Sequence, residues 1–217
     1  MDRPGRYPVT GSEYWGLSFI RRPDGTPAAE LDGPSLRSRT VDGHLGEQYW
    51  GVELAAYVAI PGVPKRAILG ETMPLPVSKE HVTLGERRWP VPYFTELEDW
   101  VDHLAARGGL LVDQEVRKAL GGDRSGASTR TWQRRYRRTV GLTAGQVRQL
   151  HRAQHGYLLL QSGHTPAEAA AAAGFADQSH LTRALRLIRG QTPAAIIAAH
   201  LGERRDGKTP PPPLTRS

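Results

Sequence analysis

The chain has 217 residues, 38% of them hydrophobic, and no apolar run approaches the roughly 20 residues that span a bilayer, so a soluble protein with no membrane partner is expected. The absence of cysteine excludes disulfides, thiolate metal sites and cysteine nucleophiles, and it suits a cytoplasmic location. The formal charge of +7 is unevenly placed: residues 1–110 hold 12 Lys/Arg against 15 Asp/Glu, whereas residues 111–217 hold 17 against 7. Such asymmetry is the footprint of a nucleic-acid-binding module joined to something else. The basic residues are almost all Arg, the side chain suited to bidentate phosphate and guanine contacts.

Residues 1–10 contain no apolar core of an export signal. To about residue 92 the chain reads as short strands broken by turns. Residues 14–20 are aromatic and β-branched, and Arg22-Pro23-Asp24-Gly25 follows as a turn. Residues 49–60 read as a strand or strand pair closed by Pro61-Gly62, and residues 82–84 add a short one. So many Gly and Pro breaks point to a small, mostly antiparallel β domain over 1–92. From Phe94 the pattern turns helical. Leu97, Trp100, Val101 and Leu104 form the stripe of an amphipathic helix, ended by Gly108-Gly109, and this connector spans 93–110.

An all-α domain is expected over 111–202. Val112, Val116 and Leu120, spaced four apart, give a short first helix one buried edge. After a Gly-rich turn, Ser128 is a good N-cap and Gly141 a good stop. Between them Trp132, Tyr136 and Val140 make one apolar line. Arg130, Gln133, Arg134 and Arg137 make a polar line on another face, carrying the groups that read guanine and adenine edges in a major groove. An isolated basic helix is more often a solvated face, but here the same construction occurs twice. Thr165-Pro166-Ala167-Glu168 is a capping box that opens an alanine-rich helix, and Gly174-Phe175 makes the turn. A second candidate recognition helix follows, with Leu181, Leu185 and Ile188 inward and Ser179, His180 and Arg183 on the opposing face. Gly190-Gln191-Thr192-Pro193 stops it before a final helix over 194–201. The segment 203–217, with Pro210 to Pro213 in a row, is expected to be disordered.

Residues 173–183, Ala-Gly-Phe-Ala-Asp-Gln-Ser-His-Leu-Thr-Arg, followed by Gly190-Gln-Thr-Pro193, closely resemble the second helix-turn-helix of AraC/XylS regulators. Residues 128–141 resemble the recognition helix of the first unit, and the bridging helix of about 146–161 fits the family's spacing. The resemblance covers about residues 112–200. It implies an α+β protein: a small β-rich N-terminal domain, then an all-α domain whose two helix-turn-helix units are joined by a long helix. It implies a sequence-specific transcriptional regulator, not an enzyme and without a cofactor, whose two recognition helices enter successive major grooves. Base contacts are implied from Arg130, Gln133 and Arg134, with Arg137 on the same face, and from Ser179, His180 and Arg183, with Gln178 nearer the backbone. The partner implied is double-stranded DNA; RNA polymerase, a small-molecule effector and a second copy of the chain are admitted beside it. Gly51-Val-Glu-Leu, Pro61-Gly62 and Ile68-Leu69-Gly70 faintly resemble the N-terminal domains of such regulators, which sense small molecules or mediate dimerisation. The chain departs from the family in a longer first turn (121–127), in Ala169 and Ala173 where larger aliphatics are usual, and in Trp132 and Tyr136 where Leu and Phe are common.

Two rival classes make different predictions. A small enzyme or ligand-binding protein with a helical appendage does not predict the charge asymmetry, and no G-x-S-x-G, P-loop or G-x-G-x-x-G occurs. An architectural binder without sequence preference needs no His or Gln on its reading faces. His44, His81 and His103 make no metal-ligand pair. His151 and His155, at i and i+4, have zinc-compatible spacing but no carboxylate nearby in sequence, so they read as a solvated face. Trp15, Trp50, Trp89 and Trp100 read as core or interface residues. If the N-terminal domain dimerises, the full site would contain two copies of one asymmetric element, and removal of residues 1–105 should leave binding to one copy intact.

Overall fold

The computed structural model describes residues 5–120 and 128–205. The first half is built from β1 (Gly5–Val9), β2 (Trp15–Arg21), β3 (Pro27–Asp32), β4 (Arg39–Gly43), β5 (Gln48–Leu54), β6 (Val58–Ala59), a 3-10 turn (Lys65–Ile68), β7 (Thr72–Leu75), β8 (Val77–Ser78), β9 (His81–Leu84) and β10 (Arg87–Pro90). A 3-10 turn (Phe94–Glu96) leads into α1 (Leu97–Ala106). The second half holds β11 (Leu111–Val112), α2 (Gln114–Leu120), α3 (Thr129–Val140), α4 (Ala144–Gln161), α5 (Pro166–Ala172), α6 (Gln178–Arg189) and α7 (Pro193–Arg205). The chain is thus α+β, with a β-rich first part and a helical second part, as the sequence implies.

The main sheet has the order β5-β2-β3-β7, all antiparallel. Strict alternation along β2 sets its two faces. Trp15, Leu17 and Phe19 are fully buried on one face, while Gly16 and Ser18 lie on the other. The turn expected at 22–25 forms, with Gly25 at φ +82° and its N–H donating to Arg22 O at 2.9 Å. The core beneath this sheet is closed by the β10-β9-β8 sheet and by α1, which lays Leu97, Trp100 and Leu104 into it. The tryptophans behave as the sequence suggests: Trp15, Trp89 and Trp100 are buried and Trp50 packs partly buried against Phe19. Trp15 and Trp100 donate their indole N–H groups to Val58 O and Pro90 O, at 2.9 and 2.7 Å.

The helical half has its own core, in which Val140, Ala153, Leu181 and Leu185 are fully buried. Burying a Leu of this kind is worth roughly 1.5–3 kcal/mol. Residues of the β half, Ala56 among the buried and Leu36, Tyr57 and Leu69 among the partly buried, join this second core. The first expected helix begins later than its spacing suggested. Leu111 and Val112 are exposed and pair as a strand with β6, so α2 starts at Gln114 and buries Val116 and Ala119. The expected turn 121–127 lies outside the described residues. The final helix runs on through Glu203–Arg205, where a disordered tail was expected, and 206–217 lie outside the described residues. No helix of the described residues is long and apolar enough to cross a membrane.

Candidate nucleic-acid interface

Each candidate recognition helix is fixed at both ends. On α3, the Ser128 side chain accepts from Thr131 N at 3.3 Å, and Gly141, at φ +85°, ends the helix with its N–H on Arg137 O. Tyr136 and Val140 are buried, and Trp132 packs edge-on against Tyr136 at 5.2 Å. That leaves Arg130, Gln133, Arg134 and Arg137 exposed on the face the sequence assigned them. Their neighbour Arg135 does something else. Its Nε and Nη2 donate to Asp113 Oδ1 at 3.1 and 2.7 Å, and Thr139 donates to Asp113 Oδ2 at 2.8 Å. Asp113 also caps α2 by accepting from Val116 N at 3.2 Å. Burial pushes the Asp113 carboxyl up, but these hydrogen bonds outweigh it and hold the group below the usual range.

Beside α3 lies a cleft of about 830 Å³, lined on its other side by the start of α4. There Thr143 and Gln146 form a capping box: Thr143 Oγ1 accepts from Gln146 N at 3.2 Å and Gln146 Oε1 accepts from Thr143 N at 2.8 Å. The first N–H groups of this 18-residue helix have no intrahelical partner, and its positive dipole end faces the cleft. Arg130, Arg134, Arg137, Arg138 and Arg148 line the same space, with no carboxylate among the lining residues. Arg138 and Arg148 were missed by the sequence reading. Arg148 could have been found as the residue one turn inside the start of α4.

The second unit repeats the construction with tighter packing. Thr165 and Glu168 form the expected capping box on α5. The small residues let helices approach: a Cβ at Gly156 would sit 2.7 Å from Leu181 Cδ1, and Ala169 is fully buried. Arg152 of α4 spans the turn, donating to Gly174 O at 2.9 Å while its guanidinium lies 4.9 Å from the Phe175 ring centroid. Asp177 caps α6 by accepting from His180 N at 2.6 Å. Leu181, Leu185 and Ile188 are buried as expected, and Gln178, Ser179 and Arg183 are exposed. His180 is half-buried, with its ring edge-on to Phe175 at 5.1 Å. None of Arg130, Arg134, Arg137 and Arg183 has a carboxylate partner among the described residues.

The β half grips both units. Gly11 N and Ser38 N donate to Ile188 O and Leu187 O, at 2.7 and 2.9 Å, capping carbonyls at the end of α6. His151 has no carboxylate near it in sequence, but the fold supplies one: its Nε2 lies 2.6 Å from Glu13 Oε1. Even so, no group of three His, Asp, Glu or Cys among the described residues could hold a metal ion.

Residues 122–199 match the model of a family described as a helix-turn-helix domain. Neither the comparison with curated proteins nor that with solved structures gives a match.

Proposed function

We propose that this chain, whose C-terminal part belongs to the AraC-type helix-turn-helix family and which is a DNA-binding transcription regulator, reads two successive major grooves with α3 and α6. The carrying observation is that both helices are capped at both ends, buried along one edge on α4, and left with unpaired basic side chains on the other. In this reading Arg130, Gln133, Arg134 and Arg137 serve the first groove. Ser179, His180 and Arg183 serve the second, with Gln178 toward the phosphates. His180, held by Phe175, can present one edge of its ring at most. Arg and Gln suit guanine and adenine edges, so the first unit favours guanine. Titration of the full chain with a duplex selected from a random library, at rising salt, tests the reading. Affinity should fall with a log–log slope near −0.9 per phosphate contacted, whereas a flat response would refute it.

A small-molecule effector is part of the same proposal. The β1–β4 ribbon lies over the outer face of the main sheet, and two adjoining cavities of about 310 and about 630 Å³ share Val9, Ser18, Asp32, Arg39 and Tyr49. Part of the floor lacks the large apolar side chains that two packed β layers ordinarily bring together, although Ile20, Trp50 and Val52 also line the space. It carries Gly16, Ser18 and Gly51, with Arg39 donating to Asp32 and Thr72. Filling it by Ser18→Trp should abolish any effector response and leave effector-free DNA binding unchanged. In this reading the protein works in the cytoplasm, with RNA polymerase and a second copy of the chain as further partners.

A further inference from the structure

The α3 cleft has one lining residue that does not come from the helical half. Arg66 sits on the 3-10 turn Lys65–Ile68 between β6 and β7, and it borders the same space as Arg134, Arg137 and Arg148. We propose that Arg66 is a DNA-backbone contact, so that the duplex rests on the β half and the helical half at once. The inference rests on the reading of α3 as a recognition helix.

Three observations carry it. The turn is firmly seated against the end of α3. Ile68 is buried in the β core, Lys65 Nζ donates to Ala56 O at 2.6 Å, and a Cβ on Gly141 would stand 2.9 Å from Leu69 Cδ2. Arg66 is therefore presented from an anchored base. Its side chain is exposed and has no hydrogen-bond or ion-pair partner among the described residues. Finally, its surroundings oppose it: residues 1–110 are acidic on balance, yet this Arg is placed where the cleft already holds five guanidiniums and no carboxylate. Like charges gathered in this way repel until a polyanion neutralises them. A guanidinium on a short turn outside both recognition helices suits a phosphate, which fixes register and carries no base identity.

The test uses the full chain with a duplex selected for binding, titrated between about 50 and 200 mM salt, for Arg66→Ala, Arg66→Lys and Arg134→Ala, with melting temperatures measured alongside. Arg66→Ala should weaken binding roughly three- to ten-fold and make the salt slope shallower by about 0.9, with base preference and melting unchanged. Arg66→Lys, which keeps the charge, should retain the slope. An unchanged slope and affinity in Arg66→Ala, while Arg134→Ala binds more weakly, would overturn the inference and leave the recognition-helix reading standing. Equal losses in both Arg66 variants with lowered melting would also overturn it, by showing a structural role. If the unmodified chain bound no duplex, or bound with no salt dependence, the underlying reading would fall and this inference with it.

Discussion

Asp113 and Arg135 are joined by the guanidinium's Nε and Nη2, at 3.1 and 2.7 Å from the same carboxylate oxygen, although Arg135 sits between Arg134 and Arg137 in a run of exposed bases. One carboxylate thereby caps α2, holds α3, and sits beside the strand pairing, since Asp113 N donates to Tyr57 O at 3.0 Å. Asp113→Ala should destabilise the chain by about 1–3 kcal/mol, most of it from the lost cap and the unpaired Thr139, because the ion pair is partly exposed. The carboxyl is held below its ordinary value, so its contribution is present above the unfolded value and lost as pH falls through the folded one. Below about pH 4 the difference in melting between the native chain and Asp113→Ala should therefore shrink. Arg135→Ala should lower melting and leave base preference unchanged; altered base preference would show that Arg135 reads DNA.

Lys65 gives a pH dependence of the same sign in a higher pH window, and from burial rather than from hydrogen bonds. Burial pushes its ammonium down to about 7, and the group donates to Ala56 O and lies 5.0 Å from the Trp15 ring centroid. Between that value and the ordinary lysine value of about 10.4, the unfolded chain binds the proton and the folded chain releases it. Stability should rise with pH across this window, by up to about 1.4 kcal/mol per unit, and fall back as pH drops toward 7. Denaturant melts of the native chain and Lys65→Met should diverge in slope there. Parallel curves would place the lysine in solvent.

Removing residues 1–105 should weaken the helical domain, contrary to what the sequence suggested. The truncation takes away Ala56 and Leu69 from the second core, the Glu13 partner of His151, and the two N–H groups on Leu187 O and Ile188 O. The fragment 106–217 should melt lower than the full chain and bind a selected duplex less tightly. Equal melting and affinity would show that the β half only tethers.

The parts of the fold that could be read in advance are those written in neighbouring residues. Ser128, Thr165 and Gly190 mark helix ends by local capping chemistry, and Leu181, Leu185 and Ile188 share a face by period alone. The exposed face of α3 was legible for the same reason. What escaped was set by distance in the chain. Glu13 meets His151 from 138 positions away, and Arg66 borders the α3 cleft because its turn packs Leu69 beside Gly141 at the end of α3. Val112 fitted a helical spacing with Val116, but a strand partner at Val58 decided its conformation. Arg135 could not be told from Arg134 by composition; the difference is a carboxylate brought in by the start of α2.

If α3 and α6 of one chain read two different patches of one asymmetric site, footprinting the full chain on a duplex that carries a single selected site will show both. Two protected major-groove patches about 10 base pairs apart are expected, with Arg134→Ala relaxing preference in one and Arg183→Ala in the other, each costing about 1–3 kcal/mol. Protection of a single groove, a strict requirement for a palindrome, or both substitutions altering the same base pairs would contradict this two-patch recognition.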